Sequence, residues 1–375
     1  MSVSSLFGSD IPAVDPIPLP APVWLLKVLL DLTLTLHFAA LYPLLGGLAI
    51  VVVLSLRSRA SDETNQAAGT IAGWLPILMT YVINLGIPPL LFAQVLYGRA
   101  LYTSSVLIGA YWIAVIPLLI ITYQLLYLVK ARTSEGRAYH WHAIGAILGA
   151  WAIARIYAAN MTLMLDVPAW QAAYVADQSG STFLTGPASW ARWLYTIFAG
   201  MAGGGILAAW LGRRSAVSQV GREVFHRLAV RTILLGSIGS IASGVLAWSQ
   251  QPVATTELAI AQPLWMAGAL LWTVAGIALV CVGGLLLQRP GVIPGSLALA
   301  GTGAAFLQTA GFVICRDLIR DSALASHGMD VWDRAVAVNG SVLGLFFGLF
   351  VFGLVAVGWL ASVAYRARTL KGEAS

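Results

Sequence analysis

Residues 23–55 read VWLLKVLLDLTLTLHFAALYPLLGGLAIVVVLS, an apolar run whose only charged residues are Lys27 and Asp31. A helix needs about 20 residues to cross the roughly 30 Å hydrocarbon core of a bilayer, so this stretch is long enough to span it. Eight further segments of the same kind follow near 68–97, 104–129, 139–165, 188–212, 227–249, 261–287, 294–319 and 337–365. Basic residues collect in alternate gaps: Arg57 and Arg59; Lys130, Arg132 and Arg137; Arg213, Arg214 and Arg222; Arg289; and Arg366, Arg368 and Lys371 after the last span. The opposite gaps hold Arg99 and Arg334 with Asp166, Asp177, Glu257, Asp330 and Asp333. Positively charged loops stay in the cytoplasm, which predicts an exterior N-terminus and a cytoplasmic C-terminus.

The expected fold is all-α: a polytopic membrane helix bundle of about nine transmembrane helices, because backbone amides in lipid must be paired within their own segment. The expected organisation is an exterior arm over 1–22, a transmembrane domain over 23–366 and a cytoplasmic tail over 367–375. Composition agrees, with 59% hydrophobic and 10% charged residues. The net charge of +6 reflects the cytoplasmic loops, and no basic, aromatic-interleaved polar segment exists to track nucleic acid. The arm lacks the basic n-region of a cleavable signal peptide. Cys281 and Cys315 lie in apolar spans and suggest neither a disulfide framework nor a thiolate metal site. Pro43, Pro88, Pro89 and Pro117 fall inside spans and are expected to kink them. No transporter-type internal repeat and no hydrolase or P-loop motif is present.

Function must then lie with polar groups at membrane depth, which are costly and face a bundle interior, cavity or cofactor. His37, several residues inside span one, is a candidate ligand for haem iron; alternatively a carbonyl or hydroxyl of a neighbouring helix satisfies it. His140, His142 and His226 sit at cytoplasmic span ends and read as headgroup-level anchors, with a quinone or second haem site as the other reading. Met161, Met164 and Met201 are either soft iron ligands or core filler. Arg155 and Arg192 lie near exterior span ends among aromatics, placed either to snorkel or to hold a haem propionate or quinone carbonyl. Arg316, Asp317, Arg320 and Asp321 form a charged cluster in span eight that either neutralises itself or contacts a cofactor. Lys27 and Asp31, four residues apart, read as a second self-contained pair. The run GMAGGGIL at 200–207 permits close helix packing or room for a flat cofactor.

Several of these segments together resemble subunit I of the cytochrome bd quinol oxidase family. LTLTLHFAALYPLLGG, around His37, is similar to the first-helix motif in which a His-Phe pair carries a haem ligand. NLGIPPLLFAQVLYG, containing Gln94, resembles the second helix with its Gln-Phe-Gly end. IARIYAANMTLMLDVP resembles the Ala-Asn-Gly-Trp-Met-Gln-Asn-Pro segment, with Asn160 matching, and GFVICRDLIR is similar to the Gly-Trp…Glu-x-Gly-Arg-Gln-Pro-Trp motif. The resemblance and the residue readings together give candidate cofactor contacts at His37, Tyr195, Asn160, Arg155, Arg192, Gln94, Arg316 and Arg320, with His37 on haem iron. It departs from the family where Tyr195 stands in the register of the second haem-binding His, where span three lacks the two carboxylates, where span nine lacks the haem-liganding Glu, and where the loop between spans six and seven is only QQPVATTELA. The expectation is a membrane electron-transfer subunit in a bacterial-type inner membrane, with zero to two b-type haems, a quinone, other membrane subunits and an exterior cytochrome c as partners. A non-redox membrane anchor of a larger respiratory complex is the alternative. A transporter ranks last, since no acidic residue stands at midplane.

Overall fold

The computed structural model describes residues 17–56, 62–176, 178–182, 186–214 and 217–373. Arg57, Arg59, Asp177 and the arm before residue 17 lie outside the described residues, as do the side chains of Arg366, Arg368 and Lys371. The elements are α1 (Val23–Ser55), α2 (Asp62–Ala72), α3 (Leu75–Leu107), α4 (Gly109–Ser134), α5 (His140–Leu163), α6 (Val167–Ala176), α7 (Pro187–Gly212), α8 (Gln219–Ser249), α9 (Val253–Ile260), α10 (Pro263–Leu287), α11 (Gly295–Ala325) and α12 (Gly340–Glu373). Among the described residues, eight helices are long and apolar enough to cross a membrane, with α2 and α3 making one of them together. The ninth expected span coincides with α12, which opens with an apolar stretch over Gly340–Gly353. The chain is therefore a polytopic helical membrane bundle.

Helix boundaries depart from the apolar runs where a polar signal outweighs hydropathy. The break expected between spans two and three near Arg99 falls instead at Ile108, between α3 and α4, while at Tyr97 (φ −125°, ψ 30°) α3 kinks and resumes to Leu107. Arg99 is thus a helix residue rather than a loop residue. Helix α8 begins eight residues before the predicted 227, at Gln219, because the Ser218 hydroxyl caps it by accepting the Gly221 amide at 3.0 Å. The loops after α5 and α8 contain the short helices α6 and α9, and Trp170 of α6 is anchored by donating to the Leu163 carbonyl at 2.8 Å.

At the centre, α1, α7 and α8 approach to backbone contact. A Cβ on Gly204 would overlap the backbone of Gly46, and one on Gly236 would overlap the backbone of Ala202. Of the two readings of the 200–207 glycine run, the geometry is that of close packing: in lipid, helix association depends on such contact because water exclusion contributes little. Chain 17–22 pairs with the segment before α12, Leu19 donating to Ala335 at 2.8 Å and accepting from Ala337 at 2.9 Å.

Candidate functional site

His37 projects from α1 against α3. Its Nδ1 lies 3.0 Å from the Val82 carbonyl oxygen, and because a carbonyl only accepts, Nδ1 carries the proton and Nε2 keeps its lone pair. Gly86 makes room for the ring: a Cβ there would lie 3.0 Å from it. Phe38 packs beside the imidazole with ring centroids 5.6 Å apart. The carbonyl satisfaction foreseen as the alternative reading is present, yet it orients the ring in the way metal-bound histidines are oriented.

Tyr195 of α7 is 1% exposed, within an aromatic cluster formed with Tyr42, Phe38, Phe312 and Trp272. Its ring stacks on Phe312 at 4.0 Å and 15°, and its hydroxyl accepts the Trp272 indole N–H at 3.2 Å. Phe38 stacks in turn on Tyr42 at 5.5 Å. Tyr195 therefore fills the space beside it.

Toward the end of the bundle that the Lys/Arg asymmetry assigns to the exterior lies a buried ionic network. Lys27 does not pair with Asp31, as its spacing suggested. It reaches α11 instead, pairing with Asp317 and with Asp321 at 2.5 Å, and donates to the Tyr97 hydroxyl at 2.9 Å. Tyr97 donates to Asp321 at 2.6 Å. Arg320 pairs with Asp317 at 3.2 Å and lies over the Tyr97 ring at 4.6 Å. The acidic residues of the cluster thus serve α1 and α3 as well as their own helix, a role for Lys27 and Tyr97 that spacing could not disclose. Asp31 Oδ1 is buried with no hydrogen-bond partner among the described residues.

The other sequence candidates divide around this network. Arg192 of α7 donates through Nη1 to the Met161 carbonyl and the Thr162 hydroxyl, both at 3.1 Å. With Arg316 and Arg320 it lines a cavity of about 10 Å³ closed by Met161, Met164 and Leu165. Arg155 is buried apart from it, donating to Ser189 at 2.5 Å and lying over Trp190 at 4.3 Å, so it does not snorkel. Asn160 is fully buried and donates to Ser105 at 3.2 Å, its Oδ1 lacking a hydrogen-bond partner among the described residues. Gln94 is half-buried on α3, three residues before Tyr97. His226 is not a headgroup anchor: it is buried, with Nε2 on the Leu286 carbonyl at 2.9 Å, tying α8 to the end of α10. Among the described residues no group of three or more His, Cys, Asp or Glu is placed to hold a metal ion.

This polytopic helical bundle has a counterpart of the same fold among solved structures. The bd oxidase from Geobacillus thermodenitrificans matches this chain with a TM-score of 0.67 over 93% of this chain and 99% of that one, at 13% sequence identity. The likeness is one of fold. No protein-family model and no curated protein matches the sequence.

Proposed function

We propose that the chain is a membrane electron-transfer subunit related to bd oxidase subunit I, linking the quinone pool to an exterior redox partner such as a cytochrome c, alongside other membrane subunits. The observation that carries this reading is His37, seated in a bd-like fold with its Nδ1 proton held by the Val82 carbonyl. The residues there fit a b-type haem. His37 Nε2 would hold the iron, the Val82 carbonyl fixes the tautomer, and the missing side chain of Gly86 leaves room for the ring. A haem bound there supplies one-electron chemistry.

At Tyr195 the residues do not fit a haem. The stacked Phe312 occupies the space in which a macrocycle would sit, and a neutral phenol already engaged by Trp272 is a poor iron ligand. Within the expected range of zero to two haems, this supports one. Asn160, Arg155, Arg192, Gln94, Arg316 and Arg320 stand in the proposal as groups able to contact a quinone or an anionic cofactor edge. Arg155 would first have to release Ser189, and the cavity among the three other arginines is too small for a macrocycle.

The second reading, a non-redox membrane anchor, is favoured by the backbone contact of Gly46 with Gly204 and the filled aromatic cluster, both of which make a rigid interior. The absorbance spectrum and pyridine haemochrome of the purified protein separate the two. About one haem b per chain is expected for the electron-transfer reading, and a haem-free wild-type preparation selects the anchor.

A further inference from the structure

We infer that Arg192, Arg316 and Arg320 form a binding site for a small monatomic anion, chloride being the physiological one. The inference does not depend on a haem at His37, and it replaces the cofactor-edge role for these three arginines.

Three arginines from two helices line one cavity, and its other lining residues, Met161 near the end of α5 and Met164 and Leu165 just after it, bring no charged side chain. Arg320 is 4% exposed, and its Nη2 meets Asp317 as an ion pair but makes no hydrogen bond. Arg192 spends Nη1 on α5. Arg316, half-buried, makes no hydrogen bond or ion pair among the described residues. N–H donors on this cavity are therefore left over.

Charge leads to the same place. The surrounding cluster holds the cations Lys27, Arg192, Arg316 and Arg320 against the carboxylates Asp31, Asp317 and Asp321, one positive charge in excess even with every carboxylate ionised. Guanidinium cannot shed its proton to relieve this, and an uncompensated charge at membrane depth is costly. A water molecule could fill the space without altering the charge. A cavity of about 10 Å³ is at the lower limit for one water-sized guest, so a slightly larger halide seats there as the flexible arginine side chains adjust, whereas the whole of a phosphate or a cofactor carboxylate is excluded.

The test uses the full-length protein in nanodiscs of neutral lipid, with sodium gluconate replaced stepwise by sodium chloride or bromide at constant ionic strength. The expected result is a saturable rise in Tm with either halide, as for any ligand that binds only the folded state. Arg316→Gln should abolish the halide dependence and raise the Tm in gluconate, because it removes the surplus cation. A wild-type Tm that is flat across the exchange overturns the site, as does a halide response that persists in Arg316→Gln. A rise produced by phosphatidylglycerol and not by halide overturns it too, in favour of a lipid phosphate. Should Arg316→Gln fail to fold, bromide anomalous scattering from wild-type crystals decides: a peak among the three arginines supports the site, and its absence defeats it.

Discussion

Lys27 of α1 and Asp321 of α11 are 294 residues apart in the chain and 2.5 Å apart in the bundle, both almost wholly buried. Each ion would be prohibitive alone at that depth. Together with Tyr97, Asp317 and Arg320 they form a network that pins α1, α3 and α11 to one another.

Lys27→Met should therefore destabilise the protein by about 3 kcal/mol, because it leaves two carboxylates beside a single cation. The double variant Lys27→Met with Asp321→Asn should recover part of that loss, since the orphaned charge is removed. Equilibrium unfolding in detergent measures both. Equal stability of the single and double variants would show that the network carries no coupling.

Tyr195→Phe removes the acceptor of the Trp272 indole N–H and should cost about 1–2 kcal/mol. Any haem absorbance should be untouched, because the ring and its stack on Phe312 remain. A lost absorbance band would restore Tyr195 as a cofactor contact.

His37→Ala should delete the b-type absorbance band of a haem-containing preparation while the protein still inserts, Ala being well tolerated in helices. A band that survives would move the search for the ligand to His140, His142 and His226.

Gly204→Ala places a methyl against the Gly46 backbone and should cost about 1–3 kcal/mol, the usual range for an overfilled core. Gly303→Ala, on α11 with open space before it, is the control and should be neutral or slightly stabilising. Thermal unfolding of the two variants side by side reads the difference.

Reporter fusions test the orientation. Fusions after Lys130, Arg214 and Arg289 should report cytoplasm, and fusions near Gln178 and Ser326 the exterior. A cytoplasmic signal at Gln178 would overturn the arrangement.

The helical membrane class was legible in the chain because hydropathy is a local property: about 20 apolar residues cross a bilayer whatever their neighbours do. His37 was legible as a polar group at depth for the same reason. The limits of the local signal appear at α3, which kinks at Tyr97 and carries on past Arg99 to a break at Ile108, and at α8, where the Ser218 cap starts the helix before the apolar run.

What only the tertiary structure decided is which helix each buried polar group meets. Spacing offered Asp31 to Lys27, yet Lys27 turns to Asp317 and Asp321, because helix packing brings α11 beside α1 and the two carboxylates together outcompete one. The Tyr97 hydroxyl donates to Asp321 of that pair, a partner that nothing in its sequence neighbourhood names. Composition likewise left the 200–207 glycines open to a flat cofactor or to another helix; the backbones of α1 and α8 occupy the space. Sequence determines how deep a residue lies, since partition into lipid is a property of the segment. Partners are set by the packing of segments far apart in the chain, and pattern along one helix carries no information about that.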